Sequence, residues 1–140
     1  MFNNNNMILG VMVLLSILWS ATCVTRTYVG YTYTHQQCLQ ISFVGNLTEL
    51  SLEVELAVHC SGRLVGSPGL EYDRKYLHHQ FVIASESQKD LVGYVANVYQ
   101  DCGLIRAPYG DLSPLFTGDN YETLFVDFDG DVVILKKGKC

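Results

Sequence analysis

Tryptophan is almost missing from this 140-residue chain: the single one, Trp19, lies in an apolar N-terminal segment. Basic residues are also in the minority, with 9 Lys and Arg against 14 Asp and Glu and a formal net charge of −5. Phosphate backbones are bound by clustered Lys and Arg, so nucleic acid is a poor partner. The five cysteines form no CxxC or CxxH pair, which argues against a zinc site. The glycine-rich run at 61–69 lacks the GxxxxGK[ST] pattern of a phosphate loop and the helix behind it. No internal repeat, extended low-complexity tract or second apolar run of membrane-spanning length is visible. No metal and no cofactor are expected.

What is present begins with a targeting pattern. An uncharged start with Asn3 to Asn6 is followed by an apolar core over 7–19 and the small residues Ser20, Ala21, Thr22 and Cys23. The core is short for a membrane span of about 20 residues, and the order matches a secretory signal peptide. Cleavage after Cys23 puts Ala21 and Cys23 at the two small-residue positions; cleavage after Ser20 is the alternative. Lys and Arg are missing from the first residues, so an uncleaved signal anchor is a third reading. Residues 1–23 are read as the signal and 24–140 as one secreted β-rich domain, extracellular and free of the membrane once the signal is removed. Its 117 residues are enough for a real core.

The most regular stretch is 50–60, where apolar and mostly polar residues alternate. In a strand this places Leu50, Leu52, Val54, Leu56, Val58 and Cys60 on one face and Ser51, Glu53, Glu55 and His59 on the other. Residues 38–44 alternate too, with Leu39, Ile41 and Phe43 on one side and Gly45-Asn46 as the turn. Pairing Phe43 with Leu50, Ile41 with Leu52 and Leu39 with Val54, or a register two residues away, keeps every apolar residue on one face. The connecting loop holds Asn46-Leu47-Thr48, a glycosylation sequon, so Asn46 is expected to carry a glycan.

With Cys23 removed, four cysteines remain, and in an oxidising compartment these form two disulfides. Cys38 falls on the outward face and Cys60 on the inward one, several residues out of register, which disfavours a bond between them. The expected pairs are Cys60 with Cys102 and Cys38 with Cys140.

Further strands are expected at 27–34 and 81–84, and 70–79 is ambiguous between helix and strand. Residues 91–100 permit two readings. Apolar positions 91, 92, 95, 98 and 99 fit a helical stripe, Ser87 with Asp90 resembles a capping box, and Gly103 is a natural stop. Val92, Val95, Val98 and Gly93 oppose a helix, and a strand folding back on 81–84 is preferred. Residues 104–120, with Pro108, Gly110, Pro114 and Gly118, read as a long irregular loop. The chain closes with the clearest hairpin, 121–128 and 131–136 about Asp129-Gly130, a type I′ turn signal. Together these predict a small, mostly β, disulfide-bonded antiparallel sandwich, with an α+β fold carrying a helix at about 88–102 as the alternative. The layout resembles an immunoglobulin-like sandwich in architecture alone, since no tryptophan lies between Cys60 and Cys102.

Asp127, Asp129 and Asp131 are spaced like the first calcium-loop ligands, but glycine falls at the fourth place and the twelfth is Gly138. His35, His59, His78 and His79 have no local catalytic signature, and Cys102 has no histidine tied to it in sequence. The preferred expectation is a secreted interaction or effector module, more a binder than an enzyme. It would meet a protein partner with a basic surface through the 104–120 loop, Tyr109 included, and through Asp127, Asp129 and Asp131. The alternatives are a barrel-type carrier of a small ligand, although only six or seven strands are countable where about eight are needed, and a small secreted hydrolase.

Overall fold

The computed structural model describes residues 25–34, 36–75, 79–105 and 110–140. The expected signal segment, His35, His78 and Tyr109 lie outside them. In chain order the strands are β1 (Thr25–Tyr31), β2 (Gln37–Val44), β3 (Ser51–Cys60), β4 (Arg63–Gly66), β5 (Leu70–Arg74) and β6 (Gln80–Ile83). Helix α1 (Gln88–Cys102) follows, then β7 (Leu115–Thr117), β8 (Thr123–Phe128) and β9 (Asp131–Lys137).

Every pairing is antiparallel, and β1 is bonded to both β2 and β9, so the sheet closes into a barrel. β4 and β5 share one position in the wall, because β3 pairs with β5 through Ser51–Val54 and with β4 through Ala57–Cys60. The mostly β, antiparallel, disulfide-bonded character matches the sequence expectation, but the layers are one closed sheet instead of two stacked ones. Closure leaves few unpaired strand edges. It depends on Gly30: a Cβ there would lie 2.5 Å from the Ile134 carbonyl oxygen, so β1 and β9 approach this closely only because the side chain is absent.

The alternating pattern of β3 is realised. Leu52, Val54, Leu56, Val58 and Cys60 are buried, while Leu50 precedes the strand and is 79% exposed. The β2–β3 register pairs Phe43 with Val54, Ile41 with Leu56 and Leu39 with Val58, four residues from the expected register. Parity is kept, so the same residues face inward; the slide lengthens the stretch left unpaired between β2 and β3 to 45–52, and β1 pairs with β2 and β5 with β3 on either side. Gln37 lies opposite Cys60 and Cys38 opposite His59. Cys38 and Cys60 are therefore neighbours along the ladder, and only their opposite faces keep them apart. Cys60 is bonded to Cys102 and Cys38 to Cys140.

Residues 91–100 form a helix, not the preferred strand, and the hairpin with 81–84 does not exist. α1 buries Leu91, Tyr94, Val95, Val98 and Tyr99, a stripe at helical spacing, and Gly103 ends it with φ of 67°. Its three valines are tolerated because tertiary burial outweighs their modest propensity cost. Ser87 stands at the N-cap without a side-chain cap bond; its Oγ instead accepts the Glu71 N–H at 2.9 Å. Two short strands were also hidden. β4 follows a two-residue turn in which Ser61 and Gly62 both have positive φ, and β7 lies inside the stretch expected to be irregular. The final hairpin turns at Asp129 and Gly130 with φ of 51° and 80°, as a type I′ turn requires.

The barrel interior is filled by rings. Tyr28, Phe43, Tyr72, Phe81 and Phe128 are fully buried, and Phe43 of β2 meets Phe81 of β6 from the far wall at a centroid distance of 5.3 Å. One mouth, where β3 ends at Cys60, β6 at Ile83 and β8 at Phe128, is covered by α1: Cys102 is joined to Cys60, and the Tyr99 ring lies 6.1 Å from that of Phe128. The opposite mouth receives Leu47, which is buried, and Arg74 donates to the Leu47 and Thr48 carbonyls. Among the described residues no helix is long and apolar enough to cross a membrane.

Candidate functional site

Two regions singled out in the sequence, the 104–120 loop and the acidic hairpin, meet at the helix-covered mouth. The joint is Asp111. Its buried carboxylate accepts the Tyr99 hydroxyl at 2.5 Å and the Asp129 backbone N–H at 2.9 Å, both on Oδ2. Beside it the Leu112 N–H donates to the Asp127 carbonyl at 2.9 Å. The loop is thereby clamped on one side to the last turn of α1 and on the other to the tip of the β8–β9 hairpin.

The clamp gathers negative charge. Residues 107–131 contain six acids and no base. Of these, Asp127 and Asp131 are exposed and Asp129 half-buried around the turn. The α1 C-terminus, with Asp101 exposed in its last turn, adds the negative end of the helix dipole to the same side. Burial pushes the Tyr99 phenol well above its ordinary range, and the adjacent Asp111 carboxylate raises it further. Tyr99 is thus a neutral donor that holds Asp111 in place.

Next to the acidic tip runs a groove of about 290 Å³ between α1, β6 and the returning loop. Leu91, Val95 and Ala96 line its helix side and Val82, Ile83 and Pro114 its sheet side, with Asp111 and Ser113 as polar members. The Ser113 Oγ is already engaged by the Ile83 N–H at 3.1 Å. A mostly apolar slot with an acidic lip is suited to an aliphatic side chain flanked by a cation.

The other sequence candidates fall elsewhere. Asn46 is exposed on the β2–β3 loop at the opposite mouth, its Oδ1 accepting the Thr48 N–H at 3.1 Å. His59 is near the helix-covered mouth and His79 at the far one, where its Nδ1 lies 3.4 Å from the Thr117 hydroxyl, so these two do not form an acid–base pair. Tyr109, His35 and His78 lie outside the described residues. Among the described residues no cluster of three or more His, Cys, Asp or Glu is arranged to hold a metal ion. Two members of the site were not singled out from sequence. Tyr99 was visible only as one position of the helical stripe, and Asp111 only as one acid in an acidic stretch.

No protein-family model, curated protein or solved structure matches this chain.

Proposed function

We propose that this is a secreted, disulfide-stabilised interaction module that binds a protein partner through the acidic tip and the apolar groove at the helix-covered mouth. The carrying observation is the Asp111 clamp, which holds a loop, a hairpin turn and a helix end as one rigid acidic surface. Rigid placement lowers the ordering cost of binding, and the one-signed field favours a basic partner surface. An exposed Lys or Arg of the partner would pair with Asp127, Asp129 and Asp131 while an adjacent aliphatic side chain fills the groove.

Secretion is supported by the signal-like residues 1–23 and by two long-range disulfides, which persist in oxidising compartments. A glycan on Asn46 would sit at the opposite mouth and leave the acidic end uncovered. A carrier reading gains from the closed wall, but an internal ligand would have to displace rings that already touch across it, such as Phe43 and Phe81.

The test is affinity purification of the secreted chain with its partners, compared with the Asp127→Ala/Asp129→Ala/Asp131→Ala variant and with Val92→Glu, an exposed substitution in the groove lining. Partner recovery is expected to fall about tenfold or more in each. Recovery unchanged in the triple variant sinks the acidic-tip reading.

A further inference from the structure

The outer wall of β7, β8 and β9 is unusual for a surface. Leu115, Val126 and Val133 point into the core, so their neighbours point out, and Phe116, Phe125 and Ile134 stand directly opposite one another across three strands. Phe116 is 43% exposed, Ile134 55% and Val132 63%. The water-facing side of an antiparallel sheet is ordinarily polar. Here the polar residues stand at the two ends of the apolar row. Asp127 lies opposite Val132 toward the turn, and Lys136 lies opposite Thr123 at the other end. Within the described residues neither Asp127 nor Lys136 makes an ion pair, whereas the neighbouring Lys137 is paired with Glu122 at 2.7 Å.

We propose that this wall is the contact between two copies of the chain, with the two-fold axis running along the Phe116–Phe125–Ile134 row. Rotation by half a turn about that row lays the apolar residues on their own equivalents and exchanges the strand ends. Lys136 of one copy then approaches Asp127 of the other, twice. An axis parallel to the strands would instead set Asp127 against Asp127. A two-fold contact requires a self-complementary patch, and this one is complementary in only one orientation. The apolar row supplies the buried area and the two rim pairs fix the orientation.

The disulfide-intact secreted chain, without any partner, is examined by sedimentation equilibrium over a concentration series. A monomer–dimer equilibrium is expected. Ile134→Glu or Val132→Lys, both at exposed positions, should leave a monomer with an unchanged circular dichroism spectrum. Asp127→Lys alone and Lys136→Glu alone should each weaken dimerisation about tenfold, and the combined variant should recover it. The proposal is overturned by a monomer at every concentration, by a dimer indifferent to both Ile134→Glu and Val132→Lys, or by a charge swap that fails to restore association. It is equally overturned by a dimer that stays covalent on a non-reducing denaturing gel, which would be a disulfide dimer. Asp127 is shared with the acidic tip, so the two readings are separated by Ile134→Glu, which lies outside that tip and is expected to abolish the dimer while leaving partner recovery in place.

Discussion

The residue on which the acidic end turns is Asp111, and its environment gives a direct prediction. A buried carboxylate that loses its donors, or donors that lose their carboxylate, cost about 1–3 kcal/mol. Asp111→Ala removes the acceptor of the Asp129 N–H and leaves the Tyr99 hydroxyl only the longer approach to Asp129 Oδ1 at 3.5 Å. It is expected to lower stability by about that amount in urea denaturation and to weaken partner recovery without touching an exposed acid. Tyr99→Phe should cost less, because the Asp129 bond to Asp111 survives. Equal losses in the two variants would show that the phenol is the dominant member. The linear pattern singles out Asp127, Asp129 and Asp131 by their spacing about the turn and passes over Asp111. All are acids near turns, and burial is a property of what folds over them.

At the scale of elements, α1 is held to the barrel by its apolar stripe and by the Cys60–Cys102 bond at its last turn. The double variant Cys60→Ser/Cys102→Ser removes a cross-link spanning 42 residues, worth typically about 2–4 kcal/mol. The expected result is a lower unfolding midpoint, with faster hydrogen exchange in α1 than in β2 and β3, since the strands keep their ladders. Uniform exchange across helix and strands would mean that the helix contributes to one global unfolding step. The stripe at 91, 95, 98 and 99 was readable, and so was the Gly103 stop. What sequence alone misjudged was the weight of three valines, a penalty of tenths of a kcal/mol per residue, against burial of five side chains on the barrel mouth. The short strands β4 and β7 were missed for a similar reason. Four and three residues carry too little period to register, and they exist because a neighbouring strand offers a ladder.

For the molecule as a whole, the filled interior carries a pH signature. Burial raises the phenol pKa of Tyr72, Tyr94 and Tyr99 well above the ordinary value near 10. In the unfolded chain these phenols ionise as pH passes about 10, while in the fold they stay protonated. Their contribution is therefore fully present below that pH and is lost as pH rises through the folded values. The slope is up to about 1.4 kcal/mol per pH unit for each tyrosine, or about 4 for the three. Chemical denaturation at a series of alkaline pH values should show this decline, with the phenolate absorbance that is missing from Tyr72→Phe, Tyr94→Phe or Tyr99→Phe appearing together with unfolding. A pre-unfolding rise in absorbance that any of these three substitutions removes would contradict the burial of that ring.

Much of this molecule was determined locally. Alternation placed the inward faces of β2 and β3, Asp129-Gly130 set the last turn, and the opposite faces of Cys38 and Cys60 kept those two apart. Each of these depends only on residues a few positions away, through strand parity and turn dihedrals. The tertiary structure alone decided the remainder: the four-residue slide between β2 and β3, closure of β1 on β9 at Gly30, the helical state of 88–102, and the meeting of Asp111 with Tyr99 and Asp129. Those depend on which distant surfaces bury one another, and parity is indifferent to a slide of two or four residues while burial is not.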